Sequence, residues 1–449
     1  MANTAPKVAE KERRESPSMV DEKAQDLVDQ IKRSKHFIVF TGAGISTSAA
    51  CQLPSYFERD ESSCANPGIP DFRGPEGAWT LRAQRRKRTE KTVSTLQAVP
   101  TKTHMALVEL QNQGILKYLV SQNCDGLHRK SGILPDRISE LHGNSNREYC
   151  KDCGKEYLRA TYEKTVHDHR TGRKCAVCAG VLLDTIVNFG EYLPTEPLQL
   201  ARDHAKKADL CLALGSSLTV PPACTIPESM GKKKRSRANP DGGRLVVCNL
   251  QSTPLDHLSE LRLWAETDDL MVRVMTKLGL EIPEFVLRRR LLVEVEAVGE
   301  DRFQVGVQGV DVDGTPATFL QSVRMEGSRR VVKAEPFAIS FRRESGGEME
   351  VKLELEFMGH YGEPNLELVQ TYTGEGKSEA MYLLEYNPSN GEWKVRQQEG
   401  DVSVESGGGM ERDEEREDSL MISAEEAGVP SHVIPSSAAS DIIDLTSSP

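Results

Sequence analysis

Four cysteines fall into two pairs, Cys150-x2-Cys153 and Cys175-x2-Cys178, with twenty-one residues between the pairs. Two C-x-x-C pairs at such an interval are the ligand pattern of a tetrahedral zinc site. Four thiolates fill the coordination shell and leave no position for water, so the metal would be structural, not catalytic. His167 and His169 lie between the pairs and are assigned to the intervening linker, because four sulfurs already suffice. A second signature is HFIVFTGAGIST, where Gly42 and Gly44 end an apolar run and open a helix. In such a turn backbone N–H groups and the helix dipole can face a pyrophosphate. The third position of that fingerprint is Thr47, not glycine, so the motif alone is equally an ordinary turn. The third is His142 in LHGN, after a strand-like run and beside a glycine that leaves one side open. An imidazole, with an unperturbed pKa near ~6.5, is suited to proton transfer at neutral pH. His104, in a helical run, and His128, in DGLH, are read as structural.

These residues need a scaffold, and the chain supplies a regular one. After residues 1–20, polar and expected to be disordered, a helical pattern over 20–31 leads into the HFIVFT strand. Further apolar strands are expected at 117–121, 182–189, 209–214 and 244–248, with helices at 103–113 and 197–207 between them. Continuous apolar strands alternating with helices indicate a parallel sheet covered on both faces. After residue 285 the pattern changes to short period-two runs such as RFQVGVQGV and MEVKLELEF, broken by Gly, Pro, Asn and Asp. That is the mark of an antiparallel β-module, placed at 290–398, and nothing in it resembles a catalytic cluster.

The 449 residues carry ten cysteines, too few for a disulfide scaffold, and a reducing compartment is expected. Cys211 and Cys248 sit in apolar runs and read as inert buried thiols; Cys51, Cys64, Cys124 and Cys224 are scattered. No run is long and apolar enough for a membrane span, and no secretory leader is expected. The net charge of −11 is concentrated in residues 401–449, which hold twelve acids against two arginines. This tail, from 399, is expected to be disordered. Basic runs at 82–88, 232–237 and 288–290 suit nuclear import or nucleic-acid contact. The final DIIDLTSSP places Ile442, Ile443 and Leu445 among acids and serines and resembles a SUMO-interacting motif, equally an apolar tail without function.

GIPDFRGPEGAW at 68–79, SQNCDGLHRKSG at 121–132, ELHGN at 140–144, VNFGE at 187–191, GSSL at 215–218 and NLQ at 249–251 occur in one order. Together with GAGIST they resemble the sirtuin family through residues 30–285. The likeness is nearest to the nuclear branch that includes human sirtuins six and seven, through SELHGN, DTIVNFGE and LGLEIP. The resemblance implies an α/β catalytic domain over 21–285: a Rossmann-like parallel sheet, a zinc-binding module near 145–185, and NAD in the cleft between them. The antiparallel accessory module and the acidic tail follow. It places Gly42, Ala43, Gly44, Ile45, Ser46 and Thr47 in the phosphate and ribose loop, and Asp71, Phe72, Arg73 and Trp79 in a cofactor-binding loop. Gln122, Asn123 and Asp125 would surround the nicotinamide and its ribose, Gly215, Ser216 and Ser217 the far phosphate and ribose, and Asn249 and Gln251 the adenosine. N-x-D-G is also good turn chemistry, an alternative for Asn123 and Asp125.

The same resemblance makes His142 the base of an NAD-consuming deacylation. The acyl-lysine carbonyl oxygen would attack the anomeric carbon as nicotinamide leaves. His142 would then help deprotonate a ribose hydroxyl, and hydrolysis would leave free lysine and O-acyl-ADP-ribose. The peptide would enter as an added strand between Gly190–Glu191 and the segment after Leu218. The implied partner is an acyl-lysine protein, with histones, chromatin or nucleic acid in a nuclear setting. Mono-ADP-ribosyl transfer in the same cleft is an alternative, as is a chromatin-binding scaffold with impaired catalysis. One departure stands out: eighteen residues, 50–67, separate GIST from IPDFRG, where family members have only a few small residues.

Overall fold

The computed structural model describes residues 11–49, 68–73, 77–87, 94–160, 168–234, 242–299, 301–342, 347–374 and 376–398. The expectations for the 50–67 insert, for His167, for most of the two longer basic runs' ends and for the tail from 399 fall partly or wholly outside these residues.

Helix α1 (Pro17–Arg33) begins where Ser16 caps it, its Oγ accepting from Met19 N, and Pro17 sits at the first turn, where a missing N–H costs nothing. Val20, Ala24, Leu27, Val28 and Ile31 form its buried stripe. Then come β1 (Phe37–Thr41), α2 (Ala78–Ala83), α3 (Lys102–Asn112), β2 (Leu116–Ser121), α4 (Leu127–Ser131) and β3 (Ile138–Glu140). A second group follows: β4 (Arg147–Cys150), β5 (Glu156–Arg159), β6 (Arg170–Lys174) and β7 (Val181–Asp184). The chain then adds α5 (Thr195–Lys207), β8 (Leu210–Leu214), α6 (Thr225–Gly231), β9 (Arg244–Cys248), β10 (Leu261–Leu263) and α7 (Thr267–Leu278).

The strands β10-β9-β8-β1-β2-β3 form one sheet, parallel throughout. Strand alternation sorts its side chains into two cores. Phe37, Val39, Leu212 and Val246 face a cluster with Leu27, Leu107 and Val274 of α1, α3 and α7. Ile38, Phe40, Ala213 and Val247 face Ala201, Ala205 and Met230 of α5 and α6. The doubly covered parallel sheet expected from the sequence is therefore present, and Cys211 and Cys248 lie fully buried within it. Two details differ. Residues 182–189, read as a strand of the parallel sheet, divide into β7, an antiparallel strand of the zinc-module sheet, and an irregular segment from 185. The glycine turn after β1 does not open an α-helix but one 3-10 turn, Ala43–Ile45. Ser46, at the end of that turn, donates its Oγ to Asp125 Oδ2 at 2.7 Å.

The remaining strands are β11 (Leu287–Ala297), β12 (Arg302–Val310), β13 (Ala317–Thr318), β14 (Leu320–Met325), β15 (Val331–Val332), β16 (Phe337–Arg342), β17 (Met349–Phe357), β18 (Leu366–Tyr372), β19 (Lys377–Asn387) and β20 (Glu392–Gln398). They form two antiparallel sheets, β16-β12-β11-β19-β20 and β15-β14-β17-β18. The sheets share one core that includes Leu291, Val305, Ile339, Leu353 and Tyr372. The strict alternation of β11 and β17 is what this packing requires, each alternate side chain being buried. Strand β13 leaves these sheets and pairs in parallel with β5, extending the zinc-module sheet to β13-β5-β4-β7-β6. Val99 and Met105 of the catalytic region pack with Phe285, Leu287, Tyr361 and Tyr386. Arg129 of α4 pairs with Asp311, and Tyr361 donates to Ala98 O at 2.8 Å.

Candidate active site and zinc centre

At the C-terminal ends of β1, β2 and β8, where parallel sheets place their ligands, three loops close on one another. Gly44 N donates to Gly215 O at 2.8 Å, and Gly215 N to Cys248 O at 2.9 Å. A Cβ at Gly44 would stand 2.7 Å from Gly215 Cα, and one at Gly42 2.7 Å from Ser216 Cβ. Gly215 itself has φ +59, so its left-handed backbone and its lack of a Cβ are both required. Ser216 Oγ donates to Gln122 Oε1 at 2.8 Å, and Asn123 Nδ2 to Gly42 O at 3.1 Å.

These contacts form the inner wall of a cleft of about 360 Å³. Of the residues singled out from the sequence, Gly42, Ala43, Gly44, Asp71, Phe72, Arg73, Gln122, Asn123, His142, Gly215, Ser216, Ser217, Asn249 and Gln251 line it. Others stand behind. Ile45 is fully buried, Thr47 Oγ1 donates back to Gly44 O at 3.0 Å, and Asp125 accepts from Ser46 Oγ and from Leu127 N at 3.0 Å. Asp125 thus makes the turn, as its N-x-D-G setting suggests, and ties it to the glycine loop through Ser46; it does not itself line the cleft. Trp79 lies on α2. The 71–73 segment is fastened from two sides, Gln251 Nε2 and Thr80 Oγ1 donating to Arg73 O at 3.4 and 3.1 Å.

His142 enters the cleft from the loop after β3. Its Nδ1 lies 3.1 Å from Gln122 O. A carbonyl only accepts, so Nδ1 carries the proton and Nε2 is left with a lone pair. Burial lowers the pKa of this imidazole, outweighing the opposite effect of the Gln122 bond, so it is neutral and able to accept a proton at pH 7. His104 and His128 are buried in the protein interior, His104 Nδ1 2.8 Å from Thr101 Oγ1 and His128 Nε2 2.9 Å from Thr41 Oγ1. Across the cleft stand Phe189, Gly190 and Glu191 on one side and Val220, Pro221 and Pro222 on the other. Sequence reading did not single out Cys124, Ile186 or Asn188, which also line the cleft. The adjacent SQNCDG and VNFGE motifs were the available signal.

In the zinc module the β4–β5 and β6–β7 turns bring Cys150, Cys153, Cys175 and Cys178 together, their sulfurs all within 4.8 Å of one another. The set is placed for a structural zinc ion. Tyr157 OH, 3.1 Å from Cys175 Sγ, is the outer hydrogen bond such a site needs, and it holds that thiol down to about 6. His169 is not among the ligands; its ring bonds Asp184 and Glu191.

A doubly covered parallel sheet, a glycine turn against a GSS loop, a half-buried neutral histidine in the cleft and a four-cysteine centre define an α/β protein with a ligand cleft at the strand ends and a separate metal module. Residues 83–222 match the Sir2 family. The NAD-dependent protein deacetylase SRT1 of Arabidopsis thaliana is 42% identical over 266 residues, 59% of this chain and 51% of that protein. Sirt6 of Drosophila melanogaster, named an NAD-dependent protein deacetylase, is 37% identical over 60% of this chain and 80% of its own length. Human sirtuin-7, likewise named, is 39% identical over 60% of this chain and 64% of its own. The chain thus spans about half the length of the plant relative and more of the animal ones. It belongs to the Sir2 family.

Proposed function

We propose that the protein is an NAD-dependent lysine deacylase acting on histones or other chromatin proteins in the nucleus, releasing nicotinamide and O-acyl-ADP-ribose. The observation that carries this reading is His142. It is half-buried in the cleft wall with its Nδ1 proton committed to Gln122 O, neutral, and next to the Gln122–Asn123 loop that faces Gly42 and Ser216. The glycine backbones of Gly42 and Gly44 let the turn close on the Gly215–Ser216 loop, where a side chain would collide, and the cleft in front of this wall is where the dinucleotide would lie. When bound, NAD supplies the electrophilic ribose carbon and the leaving nicotinamide. The chain's part is to exclude water, to orient the ribose through Gln122, Asn123 and Ser216, and to accept a hydroxyl proton at His142 Nε2. The substrate would enter as an added strand between Gly190–Glu191 and the segment after Leu218, both of which border the cleft. Zinc, held by the four cysteines, keeps the β4–β7 sheet folded.

The nuclear setting is supported by the basic runs at 82–88 and 232–237 and by the resemblance to the nuclear branch. A SUMO-type partner at DIIDLTSSP and contact with nucleic acid through the basic runs belong to the same proposal. The test is mass spectrometry of acetylated and long-chain acylated histone peptides incubated with NAD and the zinc-loaded protein. Deacylated peptide and O-acyl-ADP-ribose are expected, and His142→Ala should slow their formation by about 10²–10⁴ while the fold survives. Nicotinamide release with an unacylated protein acceptor, without deacylation, would instead favour mono-ADP-ribosyl transfer; no NAD consumption at all would favour a scaffold.

A further inference from the structure

The segment 186–191, which forms one flank of the cleft, has no regular structure of its own. Its bonds to other backbone groups are few, Val187 N donating to His142 O at 3.1 Å and Glu191 N to Asn188 O at 3.1 Å. A substrate strand can pair only with a backbone edge whose shape is fixed. Here the fixing comes from outside the segment. His169, at the start of the zinc module's β6, has Nδ1 2.9 Å from Asp184 Oδ1 and Nε2 2.9 Å from Glu191 Oε1. Asp184 Oδ1 also accepts from Ile186 N at 2.9 Å, and Glu191 Oε2 from Asn188 N at 2.7 Å. One ring therefore spans both ends of the segment. Its own backbone is left-handed, φ +65, and anchored by Asp184 N donating to His169 O at 2.9 Å.

Carboxylates accept and do not donate, so a histidine between two of them uses both ring protons and is an imidazolium. The other charges nearby are engaged elsewhere: Arg170 pairs with Asp168, and Arg173 with Glu148. We infer that His169 is a positioning residue for the acyl-lysine substrate, holding the 186–191 segment through Glu191 and Asp184 in the shape that receives the peptide. The inference rests on the deacylase reading. It also assigns the zinc module a share in substrate binding.

Glu191 and Asp184 together raise the pKa of His169, while the bonds from His169 and Asn188 outweigh burial and lower that of Glu191. The clamp therefore holds above the lowered pKa of Glu191 and below the raised pKa of His169. It is lost as pH climbs through the latter. In the wild type the KM for peptide should rise there while the KM for NAD does not.

The test compares wild type with His169→Asn in the full-length, zinc-loaded protein, using an acetyl-lysine peptide. Asparagine tolerates the left-handed backbone but carries no charge and cannot span two carboxylates. Because the pair is partly exposed, the expected loss is modest: peptide KM rises about three- to tenfold. The kcat, the KM for NAD and the zinc content stay unchanged, and the alkaline rise in peptide KM disappears. Glu191→Gln, which keeps an acceptor for Asn188 N, should reproduce the effect, and the double variant should add little. Amide hydrogen exchange over 186–191 in the substrate-free protein should be faster in His169→Asn. This readout needs no turnover, so a wild type without deacylase activity would overturn the function and leave the clamp to be judged by exchange alone. Unchanged exchange with unchanged peptide KM would overturn the clamp. So would a loss of zinc or a fall in kcat that tracks unfolding, which would make His169 a residue of module stability only.

Discussion

The residues that flank the eighteen-residue insert 50–67, Ala49 and Gly68, stand against each other. Ala49 N and Ile69 N donate to the same acceptor, Ser46 O, at 3.1 and 3.2 Å. A Cβ built on Gly68 would lie 2.7 Å from Ala49 N and 2.4 Å from Thr47 O. Ala49 itself is fully buried. Successive Cα atoms stand about 3.8 Å apart across a trans peptide, so a deletion joining Ala49 directly to Gly68 needs only a local adjustment. Closing a loop costs roughly 0.6 kcal/mol per doubling of its length, so removing four doublings returns at most about 2.5 kcal/mol. In a folded body of this size that is a rise in melting temperature of no more than about 5 °C. Affinity should respond in the same sense, because the proposed function puts Ser46 and Thr47, which precede the insert, in the phosphate and ribose loop and Asp71–Arg73, which follow it, in the cofactor-binding loop. The deletion variant should melt at the wild-type temperature or slightly above it and bind NAD equally or more tightly. Differential scanning fluorimetry and a titration of NAD into the protein decide the matter. A melting temperature depressed by more than about 5 °C would mean that the insert packs into the core. A folded variant that no longer binds NAD would mean that residues 50–67 contribute ligands.

The remaining predictions concern the site itself. Since burial lowers the pKa of His142, the acid limb of kcat/KM for an acylated peptide should lie below the ordinary imidazole value; a limb at or above 7 would remove His142 as the group reported. Gly44→Ala puts a methyl carbon 2.7 Å from Gly215 Cα, a contact that costs about 1–3 kcal/mol to relieve, so the melting temperature should fall and the KM for NAD rise about tenfold or more. An unchanged KM for NAD would show that the Gly44–Gly215 contact does not shape the cofactor wall. Chelation, or Cys175→Ser, should abolish cooperative folding of the β4–β7 sheet before any selective change in chemistry, followed by melting curves and metal analysis. A folded, metal-free and active protein would contradict the structural role of the metal.

Much of this was legible in the residues. Phe37–Thr41, Leu210–Leu214 and Arg244–Cys248 are short, almost wholly apolar and flanked by turns, and only a strand buried on both faces suits such a run. The cysteine spacing sets the zinc centre because two hairpin turns suffice to bring the sulfurs together. What escaped depends on partners far away in sequence. Leu182–Asp184 is as apolar as a central strand, but its pairing with Glu148–Cys150 decides which sheet it joins. The expected helix after Gly44 is a single 3-10 turn, and the residue that ends it, Ser46, bonds to Asp125, seventy-nine residues later. Strands β13 and β14 went unread, the first being two residues long and the second interrupted at its start, where its register with β17 shifts between Leu320 and Ser322. His169 has nothing in its neighbours to mark it, since both of its carboxylates come from other segments.

Strand β13 joins two things that sequence order keeps apart. Ala317–Thr318 reaches the zinc-module sheet from a segment that begins beyond α7, Leu158 N donating to Pro316 O just before it and Ala160 N to Thr318 O, at 2.8 and 3.0 Å. Arg159 Nη1 adds bonds to Thr318 Oγ1 and Glu335 Oε2. A metal ion and an accessory module that share one sheet are linked thermodynamically: whatever free energy zinc adds to β4–β7 also opposes detachment of the module, and the module in turn raises the apparent affinity for zinc. A polypeptide cut at residue 285 would expose the outer edge of β5 and bind its metal more weakly. Any comparison of such a fragment with the intact chain would then measure loss of this linkage as well as loss of the module.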